Sequence, residues 1–259
     1  MRLLYLFFLV FSASFLGICS KAIAQIDPIR NSRKDDKNPM GKMINLPNYD
    51  AKLLHFGFFL AINYTKFVVR PSAGFGAQLG DTTIKGEYPF RAVNPKGAAG
   101  FTTGFILNVR LSETFDLRVH PTVSFYQRSV EYEYWKDSLP KSLQLSQSTF
   151  SFLEMPILIK YKSQRRENMR MFLTAGIKPS LEIGAKKKEI EPINLRSNNI
   201  DFSIDYGFGF DFYYPLFKFS PEVRFSHGIV NMKVKDDNPF SNVIGRMTSH
   251  TVTFFFNFN

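Results

Sequence analysis

Cysteine and long apolar segments are scarce in this sequence of 259 residues. The single cysteine, Cys19, lies in an apolar segment near the N-terminus, so the rest of the chain has neither disulfides nor thiol chemistry. After residue 24, no apolar run approaches the roughly 20 residues that a membrane-crossing helix needs. These absences exclude a disulfide-stabilised scaffold, a thiol enzyme and a helical membrane protein.

Catalytic and metal-binding motifs are also missing. The four histidines, His55, His120, His227 and His250, do not have metal-ligand spacing, and neither a Gly-x-Ser-x-Gly elbow nor a phosphate loop occurs. We therefore predict no catalytic residue, no metal site and no cofactor. An alternative is a lipid-modifying enzyme built on His227 with a nearby carboxylate, although a lone histidine at a membrane interface is more often structural.

The N-terminus has the features of a secretory signal peptide. Arg2 precedes the apolar residues 3–18, and the small-residue motif "AIA" at 22–24 predicts cleavage between Ala24 and Gln25. A signal anchor is the competing interpretation, and Ile18 before Cys19 argues against lipidation. Residues 25–52 are charged and rich in Asn and Pro, which predicts a flexible periplasmic extension. The exported chain is then a soluble secreted or periplasmic protein, or an outer-membrane barrel.

Aromatic residues are abundant, with 29 Phe and 11 Tyr. From residue 53 to 259, apolar and other residues alternate with a period of two, which is typical of β-strands. Most of the alternating segments are longer than the about 9 to 11 residues that a tilted transmembrane strand needs. Eight such segments are predicted, at 54–69, 100–111, 115–126, 152–161, 169–185, 201–214, 217–227 and 250–259.

The connections between these segments alternate between long and short. The short ones are 112–114, 163–168 and 215–216, and the long ones are 70–99, 136–150, 186–199 and 228–249. Up-and-down transmembrane barrels have this asymmetry, whereas a Greek-key sandwich has no reason for it. We predict an all-β fold, an eight-stranded antiparallel up-and-down transmembrane β-barrel, integral in the cell outer membrane with both termini periplasmic.

The polar face of the segments carries charges of both signs. An eight-stranded barrel has an interior just wide enough for side chains to fill it, so we predict a filled polar lumen rather than a diffusion pore. Opposite charges inside such a lumen need to pair. The predicted structural lumen network consists of Arg110, Arg118, Glu154, Lys160, Asp205, Asp211, Glu222 and Arg224.

The net charge of +11 invites a search for anionic partners. A basic run, "AKKKEIEP" at 185–192, falls on a predicted outer loop, where it can meet lipopolysaccharide headgroups or simply be solvated. Export argues against nucleic acid, whose recognition also favours aromatics interleaved with basic residues. The predicted partners are therefore outer-membrane lipid and lipopolysaccharide, with no nucleic acid.

Four stretches resemble, in order and spacing, the PorT family of outer-membrane barrels from Bacteroidetes, which includes the gliding-motility relative SprT. The stretches are "NLPNYDAKLLHFGFFLAIN" at 45–63, "LEMPILIKYKS" at 153–163, "MFLTAGIKPSLEI" at 171–183 and "DFSIDYGFGFDFYYPLFKFSPEVRFSHGIVNM" at 201–232. The resemblance implies a part in type IX secretion, which exports proteins with a C-terminal signal domain, including proteases and gliding adhesins. It implies protein partners in that machinery and no catalytic residues. The alternative is a structural or adhesive barrel whose outer loops bind lipopolysaccharide or an external ligand.

Overall fold

The computed structural model describes residues 44–72, 90–136, 139–183, 199–233 and 244–259. Within these ranges no helix is long and apolar enough to cross a membrane. The one helix there is a 3-10 turn, Tyr49–Ala51. The strands are β1 (Leu54–Pro71), β2 (Phe90–Arg110), β3 (Phe115–Val119), β4 (Thr122–Lys136), β5 (Leu139–Glu154), β6 (Ile157–Lys162), β7 (Met169–Ile183), β8 (Ile200–Tyr213), β9 (Lys218–Gly228) and β10 (Ile244–Phe258).

The strands form one closed antiparallel sheet. The first strand, β1, pairs with β2 on one side and with β10 on the other, so the sheet has no free edge at its seam. Closure matters because an open edge would expose a row of unpaired backbone N–H and C=O groups to lipid, which offers no hydrogen-bonding partners.

Two of the strands that cross the barrel wall are each interrupted by a proline, so the ten strand segments form eight strands of the barrel. Pro121 separates β3 from β4, and Pro156 separates β5 from β6. Proline donates no ladder hydrogen bond, yet the carbonyls of both residues still accept, from the amides of Phe105 and His120 respectively. Because β3 and β4 both pair with β2, they are one interrupted strand, and β5 and β6 likewise both pair with β7. The predicted eight-stranded barrel is confirmed.

Apolar and polar faces are inverted relative to a soluble sheet. The side chains of Phe56 and Phe105 are 72% and 71% exposed, whereas Asp211 and Lys160 are 0% exposed. In the stretch 201–214 the aromatic and aliphatic residues other than the buried Tyr213 lie outward, and the aspartates lie inward. The outward face therefore meets lipid, and the polar face lines the interior.

The connections differ in part from the prediction. The expected long connection at 136–150 is wrong, because Lys136 pairs with Leu139 and the two strands β4 and β5 continue on either side. The second strand likewise begins at Phe90 rather than at residue 100. The extended parts of these strands lack strict apolar alternation, so the sequence pattern understates the length of the strands.

The two ends of the barrel are distinct. One end carries the three short turns, at 111–114, 163–168 and 214–217, together with residues 44–53 and Asn259; we call it the turn end. The other carries the remaining connections, and we call it the loop end. Residues 73–89, 137–138, 184–198 and 234–243 are outside the described residues, as are the predicted cleavage site at Ala24 and Gln25 and the basic run.

Candidate functional site: the polar interior

The polar interior is built by strand register. Inward residues recur at every second position, and antiparallel pairing places inward residues of adjacent strands directly opposite one another. Asp211 in β8 thus lies opposite Arg170 in β7, and Asp116 in β3 lies opposite Lys160 in β6. Neighbouring strands therefore bring opposite charges to the same level of the barrel.

Toward the turn end, Asp211 is the centre of one ion-pair network. The ammonium of Lys160 donates to both of its carboxylate oxygens at 2.8 Å. The guanidinium of Arg170 lies 3.1 Å from Oδ2, and the hydroxyl of Ser220 donates to Oδ1 at 2.7 Å. Multiple donors compensate for the desolvation of a fully buried carboxylate.

A second pair stands beside this network. Lys162 Nζ lies 2.6 Å from Asp116 Oδ1, and the side-chain amide of Asn108 donates to Asp116 Oδ2 at 2.9 Å. All three side chains are buried. The pair thus has both the opposite charge and the hydrogen bond that a buried carboxylate needs.

At mid-height, Glu222 joins two arginines. Its carboxylate accepts from Arg118 Nη1 at 3.0 Å and from Arg224 Nη2 at 2.7 Å, and the hydroxyl of Thr174 donates to it at 2.9 Å. Arg118, Arg224 and Glu222 are each 1% exposed. This group bridges β3, β7 and β9 across the interior, so it holds strands together that are not neighbours in the sheet.

Toward the loop end, Glu154 has a similar role. It accepts hydrogen bonds from Ser124 at 2.9 Å and Tyr126 at 2.8 Å, and Lys178 Nζ lies 3.5 Å away. Above it an apolar cluster of Phe67, Val130, Met232, Ile244 and Met247 packs inside the barrel. The interior thus changes from ion pairs to apolar packing toward the loop end.

Two members of the predicted lumen network have no ion pair with another described residue. Arg110 is the last residue of β2, and its Nε donates to the carbonyl of Ser112 in the adjoining turn. Asp205 is buried, but the described cations nearest its level are engaged elsewhere, Lys178 by Glu154 and Arg224 by Glu222. The structure places the other six, Arg118, Glu154, Lys160, Asp211, Glu222 and Arg224, together in the interior.

An aromatic ring is packed among these charges. The Lys160 ammonium lies 3.7 Å from the centroid of the Phe172 ring, and the Arg118 guanidinium lies 5.3 Å from it. Gly209 permits this arrangement, because a Cβ there would lie 2.5 Å from Cζ of Phe172. Cation–π contacts of this kind are stronger when desolvated, so Phe172 also helps to hold the buried cations.

The segment Asn45 to Lys52, which we call the plug segment, packs against the turn end. Asn45 donates to Asn168 Oδ1 at 2.8 Å and to the carbonyl of Tyr213 at 3.0 Å. The ring of Tyr49 stacks on His55 at 4.2 Å between centroids. Residues 45–52 therefore make specific contacts, which differs from the flexible extension predicted for 25–52; residues 25–43 lie outside the described residues.

Charge also holds the plug segment. Asp50 Oδ1 lies 3.2 Å from Arg170 Nη2, and the Tyr213 hydroxyl donates to Asp50 at 3.3 Å. Arg170 also contacts Asp211, so the plug segment is linked to the ion-pair network of the interior. Burial, followed by the negative charge of Asp211, raises the pKa of the Tyr49 hydroxyl, which keeps it neutral.

The histidines do not form a catalytic arrangement with a carboxylate in the described ranges. Nε2 of His227 lies 2.7 Å from the hydroxyl of Tyr206, and its Nδ1 lies 2.8 Å from Nδ1 of His250. Among the described residues there is no group of three or more His, Cys, Asp or Glu that could hold a metal ion. The chemistry displayed by the interior is ion pairing and packing.

Several interior residues were absent from the prediction. Arg170, Lys178 and Lys162 all lie on inward positions, and continuing the alternation through 169–185 and past 161 would have found them. Asp50 could not be found this way, because it lies in a segment without periodicity. Arg128 lies beyond a register shift after Tyr126, which breaks the pattern on which such a prediction depends.

A closed ring of eight outward-apolar strands with a charged, paired interior defines the class of transmembrane β-barrel proteins. The chain belongs to the family of proteins with an outer membrane protein beta-barrel domain, whose model matches residues 30–234. It is accordingly an integral protein of the outer membrane. No curated protein matches the sequence significantly.

Solved outer-membrane proteins resemble the fold at low identity. OprG from Pseudomonas aeruginosa is 10% identical with a TM-score of 0.41, covering 78% of this chain and 94% of its own. Neisserial surface protein A is 11% identical with a TM-score of 0.39, covering 80% and 98%. Ail, the attachment invasion locus protein of Yersinia pestis, is 10% identical with a TM-score of 0.30, covering 80% and 98%.

Proposed function

We propose that this chain is a non-enzymatic outer-membrane barrel that supports type IX protein secretion. The observation that carries the proposal is the ion-paired interior, in which Arg118 of β3 reaches Glu222 of β9 at 3.0 Å and Arg224 contacts the same carboxylate at 2.7 Å. An interior occupied in this way favours a scaffold that acts through its surfaces over a conduit for cargo. The resemblance to PorT-type barrels supplies the secretion system, and with it the class of cargo, proteins with a C-terminal signal domain such as proteases and gliding adhesins.

The proposal includes an orientation. The turn end, with the plug segment, faces the periplasm, where partners of the secretion machinery would meet it, and the loop end faces outward. Short turns at the periplasmic end and longer loops outside are usual for such barrels.

Orientation is testable with cysteine labelling, because the chain has no cysteine after Cys19. Leu216→Cys lies in a turn and is 92% exposed, while Asn199→Cys lies at the loop end. A membrane-impermeant maleimide applied to intact cells should label Asn199→Cys and leave Leu216→Cys unlabelled until the outer membrane is permeabilised. The reverse labelling pattern would show that the barrel has the opposite orientation in the outer membrane.

The secretion role is tested in a deletion strain. Export of a reporter fused to a C-terminal signal domain should stop, and the full-length chain supplied in trans should restore it. Normal export in the deletion strain would overturn the proposal. As a matched control, a cargo exported by another route should be unaffected, which separates a secretion role from general damage to the outer membrane.

The lipid-modifying enzyme built on His227 makes a different prediction. If it were right, His227→Ala would change the composition of outer-membrane lipid. We expect no such change, because the described contacts of His227 are Tyr206 and His250, and its Nδ1 hydrogen bond already engages another imidazole.

A further inference from the structure

The outward face of β9, β10 and β1 changes from apolar to basic side chains toward the loop end. Phe225, Val252 and Tyr64 are directly paired across these three strands and form an apolar level. At the next outward level His227, His250 and Lys66 are directly paired. The boundary at which polar side chains replace apolar ones on all three strands therefore falls between these two adjacent levels.

Two arginines follow above that boundary. Arg70 in β1 lies directly opposite Arg246 in β10, and both are exposed on the outward face. We call Lys66, Arg70, Arg246, His227 and His250 the basic wall. Arg70 lies four positions after Lys66, about 13 Å along a strand, so the basic wall presents two levels of positive charge.

Among the described residues, the basic wall has no acidic partner. No carboxylate of the described residues forms an ion pair with Lys66, Arg70 or Arg246; the polar contact of Arg246 is with the carbonyl of Ile229, at 2.7 Å. Like charges directly opposite each other across a strand pair are destabilising. An anion bound between Arg70 and Arg246 would relieve that repulsion.

The histidines at the lower level are held in place. A single hydrogen shared between the two Nδ1 atoms, 2.8 Å apart, makes one imidazole the donor and the other the acceptor. The Tyr206 hydroxyl fixes the far side of His227, at 2.7 Å from Nε2. Tyrosine and histidine side chains, with apolar bodies and polar tips, suit the boundary between acyl chains and headgroups.

We propose that the basic wall binds the phosphates of lipopolysaccharide. A lipid is the ligand that fits this place, because its acyl chains would lie against Tyr64, Val252 and Phe225 while its headgroup meets the cations one level above. The two levels of charge match a headgroup with two phosphates better than a phospholipid with one. The site is separate from the predicted outer loops, and it rests on the orientation proposed above but not on the secretion role.

Binding is tested with the mature chain in phosphatidylcholine nanodiscs and diphosphorylated lipid A as the probe. Arg70→Gln combined with Arg246→Gln should weaken binding by roughly 25-fold, because each basic residue near a membrane surface contributes about fivefold. The matched control is Lys52→Gln with Arg166→Gln, which removes two exposed positive charges at the turn end and should bind as the wild type does. Gel mobility without heating verifies that each variant is folded.

Three results would overturn the proposal. One is unchanged affinity of the Arg70→Gln/Arg246→Gln protein in its folded form. Another is equal binding of dephosphorylated and diphosphorylated lipid A, which would assign the interaction to acyl chains. The third is displacement of lipid A by phosphatidylglycerol at equal concentration, which would show that the site accepts any anionic lipid and does not select a diphosphorylated headgroup. The presence or absence of a secretion defect does not change the interpretation of these three binding results.

Discussion

Two sets of charged residues in this barrel are of the same chemical types and differ in what surrounds them. Inside, Arg118 and Arg224 share Glu222 and are 1% exposed. On the outer wall, Arg70 and Arg246 face each other, exposed and without a described acidic partner. The interior charges stabilise the barrel by pairing within the chain, whereas the arginines of the basic wall have no acidic partner among the described residues, which is why we propose that they bind phosphate outside the chain.

The largest effect is expected when an interior charge loses its partner. Glu222→Gln leaves Arg118 and Arg224 buried without a counter-charge, and breaking a buried pair in this way costs about 3 to 5 kcal/mol. The free energy of unfolding in guanidinium from lipid vesicles, followed by tyrosine and tryptophan fluorescence, measures the loss. Glu113→Gln, the same change in an exposed turn, should cost less than about 0.5 kcal/mol. Equal stabilities of the two variants would contradict the role of the interior.

A charge placed on the lipid-facing side should be nearly as harmful. Phe208 is 46% exposed on the outward face of β8, between Leu173 and Val223 of its neighbours. Phe208→Arg should destabilise membrane assembly by about 2 to 4 kcal/mol if the residue lies near the midplane. Phe208→Leu keeps the surface apolar and is the control. Unimpaired assembly of Phe208→Arg in vesicles would reverse the assignment of the two faces.

A smaller effect is expected at the plug segment, where the ion pair is partly exposed. The Asp50 side chain retains 33% exposure beside Arg170, so Asp50→Asn should cost no more than about 1 kcal/mol. The change should appear locally, as faster hydrogen exchange of the amides of Tyr49 and Ala51, which donate to Leu46 and Asn48. Exchange that stays at the wild-type rate would mean that the plug segment is held by its other contacts alone.

The smallest effect on stability is expected on the basic wall. Arg246→Gln removes one of two opposed positive charges, so the free energy of unfolding should stay within about 0.5 kcal/mol of wild type, or rise slightly. Comparing it with Glu222→Gln under identical conditions sharpens the contrast between the two faces. A loss as large as that of Glu222→Gln would show that Arg246 is part of the barrel's internal support.

Alternation of residue types was enough to predict the barrel and most of its interior. The stretch from Asp201 to Tyr214 illustrates why. Every second residue has to face lipid, so apolar residues alternate with the polar residues that face the interior. The same logic predicted Lys160, Asp211 and Glu222 as interior residues. Above the lipid-facing band that constraint disappears, and the prediction accordingly missed residues 90–99 of β2 and the start of β5 at Leu139.

Pairing within the interior could not be predicted from alternation. Asp205 and Asp211 have the same position in the pattern, yet Asp211 meets Lys160 and Arg170 while Asp205 meets no described cation at ion-pair distance. Which charge reaches which depends on register and on the lengths of side chains that cross the interior. The contacts of Asp50 depend on the path of a segment with no periodicity at all.

The central claim is that paired side chains fill the interior of the barrel, and electrical conductance tests it most directly. Purified mature protein reconstituted in a planar lipid bilayer should give no steady open-channel current. Steady, ohmic channels from the folded wild-type protein would contradict a filled interior and, with it, the proposal of a scaffold.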